Sequence, residues 1–274
     1  MTGKELSIAL RSGKKVYGTA VLSSSPWWPK MIAGTGLDFV FLDTEHVPLD
    51  RDTLSSMCQA YRALGLPPIV RIPSPDPFIA TTALDAGACG VVAPYLERVD
   101  QIEALRGATK FRPLKGERLQ EVLEGRGTLE SELLEYIENR NENNLLIVNI
   151  ESKPALDRLD DLLSVPDIDA VLVGPHDLSC SLGVPEDYDH PKFKEAAKTI
   201  IAKSRERNLG VGLHISHSID EEIGYAQDGA NLILHSSDIS LVEGTVKNDL
   251  NRFRSVLNAT EPTAERGAHS SPVI

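Results

Sequence analysis

The stretch "DTEH" at residues 43–46 sets Asp43, Glu45 and His46 directly after the apolar run Phe39 to Leu42. Carboxylates and imidazoles move protons, bind cations and pair with basic side chains, and they are costly at the end of a buried strand unless partnered. The same kind of ending recurs along the chain. Arg71 follows Ile69 and Val70, Asn149 and Glu151 stand at the end of another apolar run, and His176 and Asp177 lie in "GPHD" after Val173. His214 and His235 close two further runs. A guanidinium keeps its charge, so an inward Arg71 demands an anion. Taken singly, each residue has a plain explanation: Glu151 as a solvated helix start, Asp177 as a helix cap, His214 and His235 as core imidazoles. Their coincidence at the ends of successive apolar runs points to one shared site.

Glu151 and Asp177, expected on neighbouring strands, suit a hard divalent cation. Mg²⁺ is typically held by one or two carboxylates, with water and substrate oxygens completing an octahedron. Zinc would prefer nitrogen or sulfur ligands in a tetrahedron, while nearby imidazoles keep Mn²⁺ and Co²⁺ open. A cation with free positions beside Arg71 can bind a 2-oxo acid and stabilise the enolate derived from it. Schiff-base chemistry would need a buried lysine. No strand ends in one, and Lys153 lies at a helix start beyond Glu151.

The elements that must position these groups follow from the pattern. Runs at 16–22, 37–43, 67–72, 89–94, 144–150, 168–174, 209–215 and 231–236 are short and apolar, and an amphipathic stretch follows each. Continuous apolar strands belong to a parallel sheet covered on both faces. Eight strand–helix units predict a (β/α)8 barrel forming a single domain over 1–258, with its chemistry at the C-terminal strand ends. A doubly wound dinucleotide fold would carry a glycine fingerprint after the first strand, where this chain reads "SSSPWWPK". Residues 109–143 form a charged excursion of the kind used as a lid or interface element. The segment 259–274, rich in Pro, Ser, Thr and Ala, is expected to be a disordered tail.

The 274 residues carry a net charge of -12, which disfavours nucleic acid and anionic membrane as partners. Three cysteines without CxxC spacing point to a reducing, cytoplasmic setting. The N-terminus has no signal-peptide pattern, and no apolar run is long enough to span a bilayer.

The segments "FLDTEHVP", "VRIPSPDP", "VNIES" and "VLVGPHDLS", in this order and spacing, resemble the class II, metal-dependent pyruvate aldolases of the hydroxy-oxo-heptanedioate and 2-dehydro-3-deoxyglucarate aldolase (HpcH/HpaI) family. The likeness runs from about residue 5 to about residue 257. It implies a homohexamer, a trimer of dimers, with the C-terminal helix exchanged between subunits. It implies Glu151 and Asp177 as metal ligands, and Arg71 as the group that steadies the pyruvyl oxygen as the enolate forms. It further implies His46 as the proton-transfer residue and Asp85 as its partner across a subunit boundary, with Asp43 among the catalytic group. Arg71, Asn149, His176 and His214 would contact substrate. Several positions depart from the family pattern. Asn149 stands where Gln is usual, His176 where Ala or Ser is usual, and His214 where an apolar residue, commonly Leu, is usual. His235 also replaces an apolar or small residue, and in "RPLKGERL" Arg118 is kept while Leu119 replaces Gly. His214 is expected to carry a proton and hold a substrate carboxylate, and His176 to touch metal or substrate.

The expected reaction is cleavage or formation of a 4-hydroxy-2-oxo acid, with pyruvate and an aldehyde as the other partners. Oxaloacetate decarboxylation, or another condensation of the same enolate, is the alternative within one site. A metabolite-binding barrel without catalysis is the reading from a different class.

Overall fold

The computed structural model of the protein describes residues 1–215 and 218–257. The expected tail at 259–274 lies outside them. Eight parallel strands close in sequence order: β1 (Val16–Ala20), β2 (Phe39–Asp43), β3 (Pro68–Arg71), β4 (Gly90–Ala93), β5 (Leu145–Ile150), β6 (Ala170–Val173), β7 (Gly210–Ile215) and β8 (Leu232–Ser237). β1 pairs with β8 to complete the barrel. The expected (β/α)8 architecture is therefore the observed one.

Alternation along each strand divides the core in two. Val40, Leu42, Val70, Val91, Val148, Val171 and their neighbours face outward and pack under the surrounding helices. Phe39, Phe41, Ile69, Val92, Ile147, Leu172 and Leu234 face inward and fill the barrel. The N-terminal helix Gly3–Arg11 belongs to the inner cluster through Leu6, Ala9 and Leu10 and closes the N-terminal end. Functional groups are thereby confined to the opposite mouth.

The excursion between β4 and β5 contains helices Gly116–Leu123 and Ser131–Asn141, the second anchored by Asn141, whose side-chain amide donates to the Arg112 carbonyl at 2.8 Å. β8 contains a bulge: Gly18 pairs with Leu234, but Ala20 pairs with Ser237, and Ser236 takes a left-handed φ of 51°. Just past the bulge, buried Asp238 accepts the Leu22 and Ser23 amides at 3.0 Å each and the Trp28 indole N–H. This carboxylate ties the end of β8 to the loop after β1.

The last helix, Asp238–Leu257, leaves an apolar stripe exposed: Ile239, Val242, Val246, Leu250, Phe253 and Leu257 recur at helical spacing. The outer face of β1 and β8 borders an open groove of roughly 470 Å³ lined by Tyr17, Leu37, Ile219, Ile223 and Ile233. Among the described residues, no helix is long and apolar enough to cross a membrane.

Closure of the barrel between β7 and β8 depends on Gly212, where any Cβ would collide with the Leu232 carbonyl oxygen and crowd its side chain. The colliding atom is main chain and cannot rotate away. Gly212→Ala should therefore lower the unfolding free energy by about 2–3 kcal/mol, measured by urea titration, as expected for overpacking against a rigid neighbour.

Candidate active site

The inward alternation, continued one step beyond the apolar filling, brings the ionisable groups together. Phe41 leads to Asp43, Ile69 to Arg71, Ile147 to Asn149 and then Glu151, and Leu172 to Gly174. Asp43 and Arg71 are register partners on β2 and β3. Their side chains meet as two forks: Arg71 Nε donates to Asp43 Oδ1 at 2.8 Å and Nη2 to Oδ2 at 2.6 Å. Both are buried, Asp43 at 1% and Arg71 at 7% exposure. Burial alone would raise the Asp43 pKa, but the Arg71 hydrogen bonds and charge, with the Glu45 amide, carry it below the ordinary value. Asp43 also accepts the Glu45 and His46 amides at 3.0 and 3.4 Å, so the same carboxylate shapes the turn that carries them.

Glu45 sits 3.2 Å from Arg71 Nε and 3.9 Å from His46 Nε2. His46 itself is exposed at the mouth. On the other side, buried Glu151 accepts the Tyr95 main-chain amide at 2.6 Å through Oε1 and the Asn149 amide at 2.5 Å through Oε2. Burial pushes the Glu151 pKa up; the Tyr95 amide opposes this, and the charges of Asp177 and Glu45 add to it. Asp177 lies exposed in the first turn of helix Pro175–Ser181.

These residues fit a divalent cation. Glu151 is raised partly by the like charges of Asp177 and Glu45, and the cation that feels its charge, Arg71, is already engaged by Asp43 and Glu45. The Asn149 Oδ1 atom is buried without a hydrogen-bond partner, an acceptor that a cation-bound water would satisfy. Gly174 makes the cradle: a Cβ there would stand 2.9 Å from Glu151 Oε2 and 3.1 Å from Glu151 Cβ. Among the described residues no group of three or more His, Cys, Asp or Glu side chains is arranged as a cage. Two carboxylates with positions left for water and substrate would match the pattern of Mg²⁺-type sites.

The remaining expected residues fall out differently. His214 faces inward, packing on the Phe41 ring at 5.8 Å, with Nε2 at 3.2 Å from the Ser236 carbonyl. Burial lowers its pKa to about 4, which favours the neutral imidazole over the imidazolium expected from sequence in the ligand-free chain. His176 turns Nδ1 toward Glu186, 3.5 Å away. His235 follows inward Leu234, so alternation points it outward, where Nδ1 meets Glu222 Oε1 at 2.9 Å beside the external groove. It does not share the rim with the other histidines. Asp85 lies in the last turn of helix Pro77–Ala86, which runs back toward the N-terminal end of β4; there it is exposed and ion-paired with Arg112. Within one chain it is not at the mouth.

Sequence reasoning gave no role to Glu45, Gly174 or Tyr95. Glu45 was visible as a carboxylate beside His46, and Gly174 as the glycine of "GPHD". Tyr95 stood after a strand with no ionisable ending, and its contribution through a main-chain amide leaves no mark in residue type.

Residues 18–243 match the model of the HpcH/HpaI aldolase/citrate lyase family. The chain belongs to this family. That membership places it among the aldolase-type carbon–carbon lyases. It is similar to the 2-keto-3-deoxy-L-rhamnonate aldolase of Shigella boydii, 29% identical over 249 residues, covering 91% of this chain and 92% of that protein. The hydroxypyruvate/pyruvate aldolase of Roseovarius nubinhibens is 26% identical, with 90% and 95% covered. Among solved structures, an HpcH/HpaI aldolase/citrate lyase family protein from Burkholderia cenocepacia superposes with a TM-score of 0.79 at 27% identity, covering 92% of this chain and 99% of that one.

The neutral His214 has a measurable consequence. With a folded pKa about 4 and an unfolded value of ~6.5, unfolding takes up a proton between those limits. Its contribution to stability is complete above ~6.5 and declines as pH falls toward 4. Between pH 7 and 5 the native chain should lose about 2 kcal/mol more unfolding free energy than His214→Leu, read from urea titrations at the two pH values.

Proposed function

We propose that this chain is a divalent-metal-dependent pyruvate aldolase, cleaving or forming a 4-hydroxy-2-oxo acid with pyruvate or a near relative and an aldehyde. The observation that carries this reading is a buried arginine fixed by one carboxylate, with a second buried carboxylate, Glu151, whose pKa burial and the neighbouring carboxylates push up. The names of the similar aldolases support the same chemistry.

Glu151 and Asp177 would hold the ion, Mg²⁺, Mn²⁺ or Co²⁺, which when bound supplies Lewis-acid polarisation of a 2-oxo group. Arg71 has five N–H donors, of which Asp43 takes two. The others remain for the oxygen that gains negative charge as the C3–C4 bond breaks. Because Asp43 fixes the guanidinium plane, those donors are oriented before charge develops, which is where electrostatic stabilisation is worth most. His46, exposed at the mouth, takes the C4 hydroxyl proton in cleavage and returns it in synthesis. A positioned base of this kind contributes on the order of 10²–10⁴-fold. Asp85 belongs to this step only if a neighbouring subunit brings it to His46. Asn149 orients Glu151, and substrate contact by His176 stays part of the proposal. A cytoplasmic setting fits the three free cysteines.

Metal-dependent exchange of the pyruvate C3 protons for deuterium tests the enolate directly. Glu151→Gln and Asp177→Asn should each reduce it at least ~100-fold and weaken Mn²⁺ binding measured by calorimetry, since each removes a charged ligand. Exchange that persists in EDTA would overturn the reading.

We also propose that the exposed stripe of helix Asp238–Leu257 fills the β1–β8 groove of a second copy, building a hexamer. Two unpartnered apolar surfaces of matching character support this. Light scattering after size exclusion should give a hexamer for the native chain and a smaller species for Val246→Asp combined with Phe253→Asp. A monomeric native chain would remove the arrangement.

A further inference from the structure

Ser236, with its left-handed φ of 51° at the bulge of β8, presents its carbonyl oxygen to β7, where it lies 3.2 Å from His214 Nε2. Thr19 Oγ1 stands 3.4 Å from the same oxygen and donates to the His235 carbonyl at 2.8 Å, so the bulge is also held from β1. A carbonyl only accepts, which puts the proton of the neutral His214 imidazole on Nε2. Nδ1 is then a bare lone pair, and no described residue donates to it. Burial, helped by the Arg71 charge and opposed by the Ser236 carbonyl, lowers the His214 pKa to about 4, in keeping with a neutral ring. The ring is only half-buried, so part of its edge stays open at the mouth.

This acceptor stands beside the reacting position. Phe41 is a floor shared by two groups: Arg71 Cζ lies 5.6 Å from the centroid of its ring, and the His214 ring 5.8 Å. A 2-oxo acid whose C2 oxygen meets the free Arg71 donors spans this floor, with one of its two C2 substituents turned toward His214. The carboxylate at C1 only accepts, so a lone pair on Nδ1 repels it. A hydroxyl at C3 donates. We propose that His214 is a specificity-determining residue, its Nδ1 accepting from the C3 hydroxyl of a 3-hydroxy-2-oxo acid. The chain would then form its enolate from hydroxypyruvate in preference to pyruvate. An acid without that hydroxyl strips the lone pair of water and returns nothing to it, which is how a polar site discriminates most sharply. Ser236 acts through His214, because its carbonyl sets the tautomer that leaves Nδ1 free.

This deepens the aldolase reading and rests on it, and the experiment separates the two. Deuterium exchange at C3 is measured with saturating Mn²⁺ for pyruvate, hydroxypyruvate and 2-oxobutyrate, which carries a methyl where hydroxypyruvate carries its hydroxyl. The native chain is compared with His214→Phe and His214→Leu, the first of which keeps a ring against Phe41. The native chain should favour hydroxypyruvate over 2-oxobutyrate about tenfold in kcat/KM, the worth of one hydrogen bond whose acceptor is otherwise left bare. Both variants should lower that ratio about tenfold, since neither side chain offers a lone pair. A ratio cancels any general loss of active protein, and the native measurement stands even where a variant fails to fold. A native chain that exchanges hydroxypyruvate and 2-oxobutyrate alike would overturn the proposal. Equal losses on all three acids, leaving the ratio unchanged in both variants, would overturn it too, by placing His214 on the carboxylate they share. Either result leaves the aldolase reading intact. Absence of metal-dependent exchange with every one of the three acids in the native chain would overturn that reading and this inference with it.

Discussion

The fork between Arg71 and Asp43 is the interaction on which the mouth of the barrel depends. A guanidinium buried this deeply cannot shed its charge, and the desolvation it suffers is tolerable only beside a carboxylate in good geometry. Parallel pairing of β2 with β3 provides that geometry, because the two residues are opposite one another in register. Asp43 then spends its remaining lone pairs on the amides of Glu45 and His46. One carboxylate therefore orients a cation, caps a turn and places a second carboxylate and an imidazole at the rim.

Charge at the mouth is divided unevenly, and the division is informative. On the arginine side two carboxylates, Asp43 and Glu45, share one guanidinium. The other side gathers Glu151 and Asp177, and burial with the neighbouring carboxylate charges pushes the buried member of the pair toward its neutral form. A polar cluster in this state is satisfied by a ligand from outside the chain.

Much of this was legible in the sequence because strand alternation is rigid. Once β2, β3, β5 and β6 were located, their inward sets and the ionisable residues beyond them were fixed together. The same rule misled only where it was not applied: His235 was counted with the rim, although Leu234 before it is inward. His214 stands at the end of β7 as the sequence suggested, but its pKa was not legible, because desolvation inside the barrel sets it and composition does not record burial. Asp85 shows a third limit. A residue whose partner would lie in another subunit has no intrachain geometry to read. Tyr95 shows a fourth, since its amide belongs to the backbone.

The bulge in β8 has a bearing on the electrostatics of the mouth. In an unbroken strand, alternation would carry Ser236 inward beside Ala20 and turn Asp238 inward after it. The extra residue shifts the count by one, so that Ser237 meets Ala20 and Asp238 reaches sideways to the Leu22 and Ser23 amides and the Trp28 indole. A single inserted residue thus acts as a sorting device for charge. It diverts a carboxylate from a basin already rich in them and sets it to fastening the wall.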